Sequence, residues 1–105
     1  PPSPSPPPPS PVASITTTGP CTVDGTCVYR YSTGDFESCS ISFGGGTFTL
    51  TSITFDTESC CDKITLYPSG ALYSGVTGPN NVLASSMTWT TDVSVSSYGF
   101  YICAS

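Results

Sequence analysis

Apolar residues in this chain recur at every second position and nowhere at helical spacing, and this pattern limits what it can fold into. Phe48, Leu50 and Ser52 alternate with Thr49, Thr51 and Ile53, and Met87 and Trp89 alternate with Thr88 and Thr90. A period of two sends alternate side chains to opposite faces of a strand, one toward a core and one toward water. Turn-forming clusters interrupt the pattern at Gly34-Asp35, Gly44-Gly45-Gly46, Pro68-Ser69-Gly70 and Gly78-Pro79-Asn80. Strands are expected over 26–31, 38–43, 47–55, 62–67, 71–74, 82–91 and 98–103, with a shorter one within 12–18. Short strands between frequent turns predict an all-β fold, an antiparallel sandwich.

The first eleven residues, PPSPSPPPPSP, cannot join such a sheet. Proline has no N–H to donate and fixes φ. This segment is expected to form a polyproline II rod, roughly 3.1 Å per residue and so about 34 Å long. Three regions follow: a Pro-rich stalk over 1–11, a strand-like linker over 12–20 ending at Gly19-Pro20, and a β domain over 21–105.

Composition narrows the function. The 105 residues include two Lys or Arg, seven Asp or Glu and no His, for a net charge of −5. Without imidazole, Ser-His-Asp and Cys-His catalysis are excluded, as are the usual zinc sites. Two cations cannot neutralise a phosphate backbone, so nucleic acid is not an expected partner, and neither is an anionic membrane surface. No apolar run is long enough for a spanning helix. The six cysteines, Cys21, Cys27, Cys39, Cys60, Cys61 and Cys103, form no paired C-x-x-C knuckle and read as a disulfide framework from an oxidising compartment. Fifteen pairings are open. Cys21 and Cys27 bracket a turn at Val23-Asp24-Gly25, and can bridge each other or reach Cys39 and Cys103. Cys60 and Cys61, on opposite faces of one strand, are expected to tie two different parts of the fold.

The stretch Phe48–Phe100 resembles a CUB domain, an extracellular jelly-roll β-sandwich. Leu50–Glu58 is similar to the family's hydrophobic strand ending in F-D-x-E. Cys60-Cys61-Asp62-Lys63-Ile64-Thr65-Leu66-Tyr67 resembles its C-x-Y-D-x-V-x-I-Y strand, and Val82–Asp92 its I-x-S-S-x-x-L-x-I-x-F-x-S-D segment. Gly99-Phe100 matches the G-F before the last strand. The family's Cys near Gly75 is absent. The resemblance implies a jelly-roll-like sandwich and a calcium site at Glu58, Asp62 and Asp92, whose oxygen ligands suit a hard cation.

Ser5-Pro6-Pro7-Pro8-Pro9 resembles the Ser-Pro repeats of hydroxyproline-rich glycoproteins of plant and algal walls. This implies hydroxylation and O-linked sugars at Pro6, Pro7, Pro8 and Pro9 and at Ser3, Ser5 and Ser10.

No catalytic residues are expected. Seven carboxylates are present, but no nucleophile elbow, phosphate loop or metal triad accompanies them. Gly44-Gly45-Gly46 reads as a hairpin turn. Tyr67, Tyr73 and Tyr98 lie near turns where they can stack on sugars. The expected role is a secreted, non-catalytic structural subunit of an extracellular fibre or matrix. Its partners are copies of itself and covalent glycans. Val12–Thr18, with Val12 and Ile15 as donor residues, would pair with a neighbour's open sheet edge. The alternative is a calcium-dependent protein- or glycan-binding module on a Pro-rich tether.

Overall fold

The computed structural model describes residues 4, 12–31, 36–92 and 99–105. Among them are ten strands and no helix: β1 (Thr16–Thr17), β2 (Thr22–Asp24), β3 (Cys27–Tyr31), β4 (Ser38–Ser42), β5 (Phe48–Asp56), β6 (Lys63–Tyr67), β7 (Leu72–Tyr73), β8 (Val82–Ala84), β9 (Ser86–Thr90) and β10 (Gly99–Ala104). They form two antiparallel sheets of five, ordered β1-β4-β9-β6-β7 and β2-β3-β10-β5-β8. No helix of these residues is long and apolar enough to cross a membrane.

The period-two faces meet in one core. Ile41, Ile64, Leu66, Met87 and Trp89 enter it from the first sheet, and Val28, Leu50, Phe100 and Ile102 from the second. Trp89 is fully buried, with its ring centroid 5.0 Å from that of Phe100 in the opposite sheet.

Two departures from simple alternation shape the sandwich. The β5–β10 ladder pairs Thr54 with Tyr101 but Ser52 with Ile102, so Ile53 is an extra residue in a bulge. The slip leaves Ile53 exposed and turns Phe55 inward, although Phe48, Leu50 and Phe55 do not share one parity. The single strand expected over 82–91 is divided at Ser85. β8 is an edge of the second sheet and β9 the centre of the first, so the chain changes sheets at that residue. Ser85 donates to Tyr67 O at 2.9 Å and accepts from Phe43 N at 3.3 Å, which satisfies the backbone at the crossing. Gly44-Gly45-Gly46 is likewise a crossing from β4 to β5 in the other sheet, not a hairpin turn. β2 is an addition: Val23-Asp24-Gly25 reads as a turn, but only Gly25 and Thr26 form it.

The disulfides are Cys21–Cys39, Cys27–Cys103 and Cys60–Cys61. The last corrects the expectation for the vicinal pair. Cys60 and Cys61 lie in a turn between β5 and β6 rather than on a strand, so they do not point to opposite faces, and they bond to each other.

Residues 12–18 lie on the chain's own first sheet. β1 pairs Thr16 with Ser42 and Thr17 with Ile41, and Ser14 N donates to Phe43 O at 3.2 Å. Ala13 and Ile15 are buried in the core, while Val12 is 73% exposed. Gly44, in the left-handed region at φ 94°, admits this segment: a Cβ there would meet Ser14 O at 2.9 Å. Apart from Pro4, the proline tract, with its polyproline II reading and Ser3, Ser5, Pro6 to Pro9 and Ser10, lies outside the described residues, as does Tyr98.

Cys27–Cys103 spans 76 residues and Cys21–Cys39 spans 18. The loop-closure relation assigns them roughly 4.5 and 3 kcal/mol. In denaturant unfolding, the Cys27→Ala/Cys103→Ala variant is therefore expected to lose about 1 kcal/mol more than Cys21→Ala/Cys39→Ala.

Candidate metal centre

At one end of the sandwich the chain leaves β5 through Thr57, which is 5% exposed. Thr57 N donates to Gly75 O at 2.8 Å, and Thr57 Oγ1 accepts from Gly75 N at 2.9 Å. This latch fixes the start of the next turn. Within the turn, Cys61 N and Asp62 N donate to Glu58 O at 3.3 and 3.2 Å, so Glu58 and Asp62 are held together across it. The third acid arrives through strand register. Lys63 of β6 pairs with Thr90 of β9. Continuing that antiparallel pairing past Thr90 brings Asp92 beside the Cys61–Asp62 turn. Thr91 N donates to Glu37 O at 3.0 Å and Phe36 N to Asp92 O at 3.4 Å, extending the ladder on the other side.

Carboxylate oxygens of Glu58, Asp62 and Asp92 thereby lie within 4.8 Å of one another. Asp62 is 1% exposed and the other two are half-buried. Glu58 Oε2 and Asp92 Oδ1 are buried and accept no hydrogen bond among the described residues. Glu58 Oε1 faces Cys60 Sγ at 3.2 Å, but a half-cystine has no hydrogen to donate. Three converging anionic groups with buried lone pairs left over fit a hard cation taking oxygen ligands. Cys60 and Cys61 also lie close to Glu58, but their bond to each other leaves no thiolate to ligate a soft metal.

The remaining described acids are used elsewhere. Glu37 accepts from Arg30 Nε at 3.0 Å and forms an ion pair with its guanidinium, which raises the Arg30 pKa. Asp56 does not neighbour Asp62 in the cluster; it lines a separate cleft with Tyr31, Thr54 and Gly99. Asp24 accepts from Tyr101 Oη at 2.6 Å.

That last bond belongs to a feature the sequence reading passed over. Tyr67 is exposed and Tyr73 packs partly against the core. The tyrosines that gather are instead Tyr29, Tyr31 and Tyr101, on the outer face of β3 and β10. The rings of Tyr29 and Tyr101 stack at 5.3 Å with 3° between planes, and Tyr31 lies 5.3 Å from Tyr29. The available signal was parity: Tyr29 and Tyr31 lie one and three residues after buried Val28, out of phase with it, and Tyr101 falls between buried Phe100 and Ile102.

No protein-family model, curated protein or solved structure matches this chain.

Two predictions follow from the geometry. Like charges within 4.8 Å repel by about 3.5 kcal/mol or more per pair at an effective dielectric near 20. Asp92→Asn is therefore expected to stabilise the calcium-free protein, on the order of 1 kcal/mol, while abolishing any stabilisation by added calcium; thermal unfolding with chelator and with calcium reads both signs. Separately, the hydrogen bond to Asp24 raises the Tyr101 phenol above its ordinary value of 10.0. The contribution to stability is present below pH about 10 and is lost as pH rises through the folded-state pKa. Asp24→Asn is expected to bring this ionisation down, followed by phenolate absorbance.

Proposed function

We propose that this chain is a non-catalytic structural subunit of an extracellular fibre or matrix, built on a CUB-like, jelly-roll sandwich that binds calcium at Glu58, Asp62 and Asp92. The observation that carries the reading is where those three acids come from. Glu58 follows β5 of the second sheet, whereas Asp62 precedes β6 and Asp92 follows β9 of the first. A cation held by all three would join the two sheets at one end, and the burial of Asp62 suits an ion that fixes structure. Calcium would supply a positive charge among these carboxylates; the residues supply oxygen ligands and a turn stiffened by the vicinal disulfide.

Three disulfides in a small all-β chain support a secreted location. Low charge and a proline- and hydroxyl-rich N-terminus support a glycan-coated assembly whose copies join through that end. A second reading, a tethered calcium-dependent binder of protein or glycan, is favoured by the half-buried state of Glu58 and Asp92, which leaves one side of the cluster open to a ligand.

The test combines electron microscopy with thermal unfolding of the full secreted chain, with calcium and with chelator. Fibres together with calcium-dependent stabilisation are expected. A monomer stabilised by calcium that never assembles would move the assignment to the binder. A monomer indifferent to calcium would reject both. Intact mass excess in pentose or hexose multiples within residues 1–11 is the expected mark of the coat.

A further inference from the structure

We propose that the tyrosine face of the second sheet is the docking site for the proline-rich segment, residues 1–11, of a second copy of this chain. The inference rests on the structural-subunit reading and names the surface through which its copies would join.

The face has an aromatic floor. Tyr29 and Tyr101 pair directly across β3 and β10 with their rings stacked. Tyr31 is paired with Gly99, so no side chain covers it from that strand. Glycine is required at that position: φ is 102°, and a Cβ would meet Arg30 O at 1.7 Å. The result is a cleft of about 440 Å³ lined by Tyr31, Gly99, Thr54 and Asp56. Tyr31 is 43% exposed.

Three observations select the occupant. The first is chemical. A polyproline II segment offers ring faces and backbone carbonyls but almost no N–H, and aromatic grooves with hydroxyl donors are the surfaces that take such segments. The tyrosine rings match the first feature and the hydroxyls of Tyr29 and Tyr31 the second, while that of Tyr101 is given to Asp24. The second is charge. All nine charged residues lie at or after Asp24, so the first 23 residues carry none. In a chain of net charge −5, this neutral tract is the part that approaches another copy with least repulsion.

The third is placement. The chain enters the first sheet beside Phe43, where Ser14 bonds Phe43 O. The Tyr31–Asp56 cleft lies at the opposite end: β3 runs out at Tyr31, β5 runs out at Asp56, and the acidic turn begins two residues later. A segment that starts there would have to cross from one end of the first sheet to the far end of the second to meet the cleft of its own molecule, whereas that end of a next copy can be met without such a reversal. Such a contact is head-to-tail and does not close, which is the geometry of a filament.

The test uses the full chain and a synthetic peptide of residues 1–11. Sedimentation is expected to show concentration-dependent association that the free peptide competes away. Tyr31→Ala/Tyr101→Ala, checked for folding by circular dichroism, is expected to weaken association roughly tenfold or more. Replacing Pro6 to Pro9 with Ser alters no residue of the sandwich and is expected to weaken it equally. In ¹⁵N spectra the peptide is expected to shift Tyr29, Tyr31 and Tyr101. Association unchanged in either variant would overturn the docking while leaving the structural-subunit reading standing. A chain monomeric at millimolar concentration that binds no peptide would overturn both. Tyrosine shifts produced by neutral oligosaccharides and not by the peptide would make the face a sugar site and overturn the proposal.

Discussion

Trp89 lies on the middle strand of its sheet, paired with Cys39 on one side and Ile64 on the other, with Phe100 facing it from the second sheet. The rest of the molecule is arranged around that contact. A chain of this size buries a modest core, so its largest side chain has to serve both sheets at once. Cys39 carries the covalent tie to Cys21 and thus to the end of the N-terminal segment. The same strand, prolonged past Thr90, delivers Asp92 to the acidic turn. The indole Nε1 has no hydrogen-bond partner among the described residues, so the site accepts an unsatisfied polar group for the packing the ring provides.

The two faces of the second sheet divide the chain's tasks. Val28, Phe100 and Ile102 point inward to the core, while their neighbours Tyr29 and Tyr101 point outward and stack on each other. Stability is thus decided by one parity of residues, and the aromatic outer face by the other. The acidic cluster stands apart from both, at an end where strands stop and backbone groups are satisfied by loops. A cation there would act on the separation of the sheets rather than on the composition of either face.

Much of this was legible in the residues because a strand's period is fixed. The alternation around Phe48, Leu50, Met87 and Trp89 marked both strands and inward residues. Legibility failed where a long-range pairing overrode the local pattern. Nothing near Ser85 announces that the chain changes sheets there, since Val82–Thr91 is uniformly strand-like. The bulge at Ile53 was visible only as a clash of parity between Leu50 and Phe55. Cys60 and Cys61 read as strand through the resemblance of Cys60–Tyr67 to a CUB strand, but the turn between Glu58 and Asp62 takes those positions. The three acids were drawn together by a resemblance; the register of Lys63 with Thr90 gives the physical reason they meet. The tyrosine face is encoded only in parity within β3 and β10, and it forms only when the register sets Tyr29 opposite Tyr101.

The Cys21–Cys39 bond has a mechanical meaning. A pull on the N-terminus bears first on β1, whose pairing with β4 is brief and can unzip one bond at a time. Peeling can proceed only as far as Cys21, which is covalently fixed to β4. The segment freed between Val12 and Cys21 has a full extended length of about 30 Å. Beyond that point the load passes into a covalent link beside the core. A short stretch yields and the body of the sandwich is shielded, as in a tether with a built-in stop.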